Sequence, residues 1–206
     1  MHDATVYIVD DDEAVSRMLG EMVRSGGFAA ETYPSAEEFL SRARPGPPCC
    51  LILDVRMPGS SGFDLQDRLA AAGVAIPIIF LTGFGSVAGS VRAMKAGAVD
   101  FLEKPVSYHV LLATVCKAIE RSALESRERA DIDEIRLRAE TLTPRERQVF
   151  ALVATGAPNK QIAAELGTSE ITVKVHRSRV MRKMHAGSFA DLVRMAQRLC
   201  INPVEA

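Results

Sequence analysis

The sequence predicts a doubly wound α/β domain, a five-stranded parallel sheet with helices on both faces, followed by an all-α four-helix domain. Two patterns carry the first half. Short apolar runs without polar alternation mark strands buried on both faces, and they recur between segments of helical periodicity. That regular alternation of strand and helix builds parallel sheets through right-handed crossovers. A third pattern carries the second half: beyond residue 141 the strand-like runs stop, and four short helical segments follow, punctuated by Gly156, Gly167 and Gly187.

Val6–Val9 is the first strand, and Val15, Met18, Leu19 and Met22 recur at helical spacing behind it. Gly26-Gly27 ends this helix, and residues 28–33 read as the second strand. Ser35, with Glu38 three residues on, is a capping-box signature for the next helix. The loop Pro45-Gly46-Pro47-Pro48 leads into the central strand, Cys49–Asp54, whose apolar run ends in a carboxylate. A helix over about 63–72 precedes the strand Ile76–Leu81. A further helix near Ser86–Lys95 closes at Gly97, which suits a left-handed C-terminal cap. The strand Val99–Glu103 and a helix from about Ser107 complete the alternation.

From Glu120 to Glu140 large apolar side chains become scarce, and no Pro or Gly interrupts the chain between Ser107 and Thr143. A long solvated helix and a flexible charged tether both fit, and helix propensity favours the first. Thr143 then caps a new helix with Pro144 at its first position and Glu146 closing a capping box. The four helices fall at about 144–154, 159–166, 170–184 and 189–199, with Ser169 and Ser188 as N-caps. The domain reading is therefore 1–120, a charged linker at 121–140, and 141–206.

The chain of 206 residues is long enough for two small domains, and its 48% hydrophobic and 25% charged residues are ordinary globular values. A net charge of −1 hides an asymmetry. Residues 1–120 carry ten basic against fifteen acidic side chains, whereas residues 141–206 carry ten against five. The basic end is the one suited to nucleic acid. Four cysteines lack metal-ligand spacing and read as reduced structural thiols. No signal peptide or membrane-length apolar run is present, so a cytoplasmic protein is expected.

Ligands of open α/β sheets gather at the carboxyl ends of the strands. Here those ends carry Asp10, Asp11 and Asp12, then Asp54, Thr82 and Lys104. Crowded carboxylates must protonate, pair or bind a hard cation, and magnesium favours a few carboxylates supplemented by water and phosphate oxygens. Lys104 offers a compact charge for a phosphoryl group, and Thr82 a hydroxyl donor. A carboxylate is itself able to take up a phosphoryl group as nucleophile. Singly, each residue reads as a cap, a turn former or a solvated charge; together at one sheet edge they read as a phosphoryl-transfer site.

In the basic region, Asn159–Ser169 runs as helix, Gly turn and newly capped helix, a helix-turn-helix pattern. The second helix carries Lys174, Arg177, Arg179, Arg182 and Lys183 against one acid, Glu170. Val173, Val180 and Met184 share an inward face, which leaves Lys174, Val175, Ser178 and Arg182 on the side a major groove would occupy.

These residues carry a family resemblance. Val9-Asp10-Asp11-Asp12, Asp54-Val55-Arg56-Met57-Pro58-Gly59, Thr82-Gly83 and the run from Lys95 to Pro105 resemble the flavodoxin-like receiver domain of two-component response regulators. The resemblance implies that Asp54 accepts a phosphoryl group from a sensor histidine kinase. It implies that Asp10, Asp11, Asp54 and the backbone carbonyl of Arg56 hold Mg2+ or Mn2+, with Asp10 acting on the metal's waters. Lys104 becomes the phosphate-contacting lysine, Thr82 and Phe101 the switch pair, and Lys104–Pro105 a cis bond. Asp12 is left as the helix cap.

Leu142–Val149, Asn159–Ala163 and Thr172–Arg177 resemble the LuxR-type helix-turn-helix over residues 141–200. The whole arrangement resembles FixJ-like response regulators, near their relatives that respond to aromatic compounds. That implies a transcriptional regulator rather than an enzyme, with double-stranded DNA and RNA polymerase as partners and a homodimer when phosphorylated. Lys174, Val175 and Ser178 take base-reading positions, Lys160 a phosphate-contacting one, and Arg177 and Arg182 join the DNA-binding set. Leu192, Met195, Ala196 and Leu199 match the family's DNA-bound dimer surface and fit a core equally well. The phosphorylated dimer is expected to use a face with Val91, Lys95, Ala98 and Asp100. Two rivals are an aspartyl-phosphate phosphatase of the haloacid-dehalogenase kind and a constitutive DNA-binding protein. The former needs an acid where Arg56 stands.

Overall fold

The computed structural model describes residues 4–43, 45–46, 48–83 and 97–201. Parallel strands β1 (Thr5–Val9), β2 (Ala29–Tyr33), β3 (Cys49–Asp54), β4 (Ile78–Thr82) and β5 (Asp100–Glu103) form one sheet in the order β2-β1-β3-β4-β5. The chain runs outward from β1 to β2 on one side and through β3 to β5 on the other. That reversal opens a crevice beyond the carboxyl ends of β1 and β3.

Alternate residues along the strands feed two cores. On one face Tyr7, Val9, Leu51, Leu53 and Phe80 pack with Phe39 of α2 (Ala36–Arg42) and with Leu65 and Leu69 of α3 (Gly62–Ala71). On the other, Val6, Ile8, Cys50, Ile52 and Leu81 pack with Leu19 and Val23 of α1 (Glu13–Ser25) and with Leu111 and Val115 of α4 (Tyr108–Glu140). Every residue of β3 is buried, as its unbroken apolar run requires.

Local differences have local causes. Ile76 is buried but precedes β4, because Pro77 has no N–H to extend the ladder; its carbonyl instead accepts the Leu51 N–H at 2.9 Å. Gly97 has φ 87°, the left-handed geometry expected of it, while the helix read at Ser86–Lys95 lies outside the described residues. Asp12 caps α1, accepting the N–H groups of Ala14 at 2.8 Å and Val15 at 3.2 Å.

The chain divides into two compact bodies, Met1–Ser126 and Arg127–Ala206. The division falls inside α4 and not at the edges of the charged stretch, because Ile135 and Ala139 are committed to the second core. In that body α5 (Pro144–Ala154), α6 (Asn159–Glu165), α7 (Glu170–Met184) and α8 (Phe189–Arg198) bury Val149, Phe150, Ile162, Val173, Val180 and Met184 together. Leu192 and Ala196 are fully buried in this core, whereas Met195 and Leu199 are partly buried and pack against it. The turn after α7 is made by His185 in the left-handed region at φ 55°, ahead of the expected Gly187.

Candidate functional site

The sheet edge gathers its polar groups through backbone hydrogen bonds. Asp10 follows β1, and its N–H donates to the Tyr33 carbonyl at 3.2 Å. Asp54 is the last residue of β3, and the next N–H, that of Val55, donates to Leu81 O at 3.0 Å. Lys104 follows β5, its N–H donating to Thr82 O at 2.7 Å, and the Lys104–Pro105 bond is cis. The segment after β3 needs glycine at Gly59, which takes φ 84°, and again where α3 begins. A Cβ on Gly62 would stand 2.3 Å from the Asp54 carbonyl oxygen, so Gly62 lets α3 start directly against the acidic strand end. No sequence pattern singles this residue out.

Lys104 lies between two buried acids, its Nζ 2.5 Å from Asp10 Oδ2 and 3.2 Å from Asp54 Oδ1. Asp10 Oδ1 also accepts the Asp12 N–H at 3.0 Å. Burial opposes the Lys104 charge, but Asp10 and Asp54 override it and hold the ammonium pKa above its ordinary value. The Asp54 carboxyl also stands above its ordinary value: burial raises its pKa, Lys104 pulls it down, and the charges of Asp10 and Asp11 push it up again. Asp10, Asp11 and Asp54 each offer a carboxylate oxygen, all within 4.8 Å of one another, with Asp11 exposed. This all-oxygen, anionic donor set fits a divalent cation. Arg56 sits two residues beyond Asp54 with its side chain exposed.

Thr82 is buried at the end of β4. It follows Phe80 by one strand period, so both residues share a sheet face with Phe101, whose ring centroid is 6.2 Å from that of Phe80. Of the expected dimer face, Ala98 proves to be buried, in the same core that Phe101 packs against. Asp100 Oδ1 accepts the Phe101 N–H at 2.9 Å, and Val91 and Lys95 lie outside the described residues.

The second body presents a different surface. On α7, Lys174, Val175, Ser178 and Arg182 are exposed opposite the buried Val173, Val180 and Met184, and Lys160 is exposed on α6. Arg177 is engaged internally: its guanidinium donates to Asn159 Oδ1 at 2.5 Å and stacks 4.5 Å from the Phe189 ring centroid, tying α7 to α6 and α8. Lys183 is engaged too. Its Nζ lies 2.6 Å from Glu146 Oε2 and donates to Thr141 O at 2.9 Å. A composition count treats both as free positive charges, since nothing local in sequence marks their partners.

Taken with the sheet order, the acidic strand ends and Lys104 define a receiver domain, and the second body defines a helix-turn-helix domain. Family models agree on both: the response regulator receiver domain matches residues 6–116, and the luxR family of bacterial regulatory proteins matches residues 140–196. The chain belongs to the response regulators that join a receiver to a LuxR-type DNA-binding domain, the FixJ-like transcriptional regulators. It is 48% identical over 199 residues to Nodulation protein W of Bradyrhizobium diazoefficiens, covering 97% of this chain and 88% of that one. It is 45% identical to the transcriptional regulatory protein FixJ of Rhizobium meliloti, covering 95% and 96% of the two chains. Among solved structures, the response regulator StyR superposes with a TM-score of 0.80 at 44% identity, covering 95% of this chain and 98% of that one. Among the described residues, no helix is long and apolar enough to cross a membrane.

Proposed function

We propose that Asp54 is the phosphoacceptor of this regulator and that its phosphorylation promotes dimerisation and operator binding. The observation that carries the reading is Lys104 held between buried Asp10 and Asp54, with Asp11 beside them. A carboxylate oxygen of Asp54 attacks the phosphorus of a phosphohistidine on a sensor histidine kinase. The O–P bond forms, the P–N bond breaks, and the imidazole leaves and takes up a proton. Lys104 then meets the phosphoryl oxygens with a point charge. Asp10, Asp11, Asp54 and the Arg56 carbonyl would hold Mg2+, or Mn2+, which when bound neutralises charge on those oxygens.

Phosphorylation adds about two negative charges. The Thr82 hydroxyl turns towards them, and Phe101 moves into the space it leaves on the shared sheet face. Such a switch has only the differential affinity of phosphate for the two states to work with, about 1–3 kcal/mol. Two-fold pairing of receivers then raises the effective concentration of two DNA-binding domains on paired half-sites. The cytoplasm and RNA polymerase complete the setting of a transcriptional regulator. The phosphatase rival is disfavoured by Arg56, which stands where that chemistry requires an acid. Counting acid-labile phosphate after exposure to a small phosphodonor and Mg2+ tests the reading; less than about a tenth of a phosphate per chain would end it.

Two expected results separate the roles of individual residues. Asp11→Ala weakens Mg2+ binding yet leaves the Lys104–Asp10 pair intact, so the metal-free protein unfolds no earlier than wild type. Asp10→Ala differs, because it strips Lys104 of its nearest partner and the Asp12 N–H of its acceptor. Thermal unfolding with and without Mg2+ distinguishes them. On the DNA side, Lys174→Ala loses roughly 1–3 kcal/mol of discrimination against random DNA, while Lys160→Ala lowers the salt slope by about one for all sequences. Equal losses on specific and random DNA would remove Lys174 from the base-reading set.

A further inference from the structure

Ile171 is the most exposed of the large apolar side chains among the described residues, 77% exposed on the first turn of α7. Val175, one helical turn further on, is 45% exposed. Residues four apart on a helix are neighbours, so the two make a continuous branched apolar ridge. A single exposed hydrophobe needs no explanation. Three features set this pair apart. The ridge lies on the stripe that also carries Lys174, Ser178 and Arg182, opposite the buried Val173, Val180 and Met184. The cap beside it is self-sufficient: Ser169 Oγ accepts the Thr172 N–H at 3.1 Å and lies 2.8 Å from Thr172 Oγ1, so Ile171 has no part in closing the helix end. And Ile is a mediocre helix former, so an exposed Ile in this turn gives the free protein neither packing nor propensity.

The occupant that fits such a ridge is set by charge and shape. Lys174, Arg179 and Arg182 are exposed on the same helix and Lys160 on α6, positive charges suited to phosphates. In helix-turn-helix proteins the N-terminal residues of the second helix meet base edges in the major groove. The apolar group displayed there is the 5-methyl of thymine. We propose that Ile171, together with Val175, grips a thymine methyl in each operator half-site and is a specificity-determining residue of this regulator. The inference rests on the DNA-binding reading above, and adds to it a base and a chemical group.

The test uses the full-length protein. Wild type selects its preferred duplexes from random DNA, and each thymine of the selected site is replaced in turn by deoxyuridine, which lacks only the methyl. One thymine per half-site is expected to show a loss of about fourfold, the worth of one buried methyl. Ile171→Ala binds the thymine duplex more weakly and no longer distinguishes thymine from deoxyuridine at that position, whereas Ile171→Val retains part of the discrimination. Because the side chain is exposed, unchanged circular dichroism and unfolding temperature are expected for both variants. A flat deoxyuridine scan, or the same fourfold penalty in Ile171→Ala, overturns the proposal while leaving sequence-specific DNA binding standing. Failure of wild type to select any sequence overturns both.

Discussion

Asp54→Asn protein, mixed with a small phosphodonor and Mg2+, is expected to take up no acid-labile phosphate, where wild type approaches one per chain. The neighbouring acids are poor substitutes. Asp10 is committed to Lys104 and to the Asp12 N–H, and Asp11 is solvated at the rim. Loss of labelling is not to be confused with loss of fold. The folded-state pKa of Asp54 lies above its ordinary value, chiefly through burial. Its contribution to stability is therefore full in acid, below the unfolded value, and is lost as pH rises through the folded one. At neutral pH without metal the neutral Asn removes that penalty, so the variant should melt no earlier than wild type. Phosphate recovered at normal stoichiometry on Asp54→Asn would assign the chemistry to the wrong residue.

Glu146→Ala should destabilise the second body strongly. Glu146 is only 3% exposed, and its carboxylate closes the capping box with Thr143 while pairing with Lys183 of α7. Burial works against its charge, but the hydrogen bonds from Lys183 and Thr143 prevail and draw its pKa down to about 2. Removing it strands the Thr143 N–H and leaves the Lys183 ammonium with the Thr141 carbonyl in place of its carboxylate. Breaking a buried pair from one side costs about 3 kcal/mol, which in a domain of this size lowers the unfolding temperature by roughly 12–24 °C. The pH dependence has a definite sign. With the folded pKa below the unfolded one, the stabilisation is fully present above about 4.5 and is lost as pH falls towards about 2. Glu146→Gln should restore part of the cap and remove this acid dependence. A loss under about 1 kcal/mol for Glu146→Ala would mean that the pair is a solvated surface contact.

The fold is legible in the sequence because most of what determines it is local. The unbroken run Cys49–Leu53 announces a strand buried on both faces, and Asp12, Ser35, Thr143, Ser169 and Ser188 mark helix starts through their own side chains. The acidic cluster is legible because parallel strands align their carboxyl ends, so Asp10, Asp54 and Lys104 meet whatever their sequence separation. What escapes such a reading depends on partners distant in sequence. Lys183 and Arg177 resemble a free basic face until Glu146, Asn159 and Phe189 are seen against them. Ala98 resembles a surface residue beside a charged pair, and its burial depends on core residues from other strands and helices. Gly62 carries no motif, since the need for it arises from the closeness of another backbone.

Phosphate at Asp54 is proposed to control DNA binding by assembling two chains, and that coupling is open to measurement. Full-length protein is sedimented across a concentration range, with and without a phosphate mimic and Mg2+, and the same samples are then titrated with operator DNA. The expected result is a mostly monomeric resting protein that becomes a dimer with the mimic. Operator affinity should rise in step, with neither change occurring in Asp54→Asn. A protein that stays monomeric with the mimic at concentrations that saturate operator DNA would contradict the mechanism.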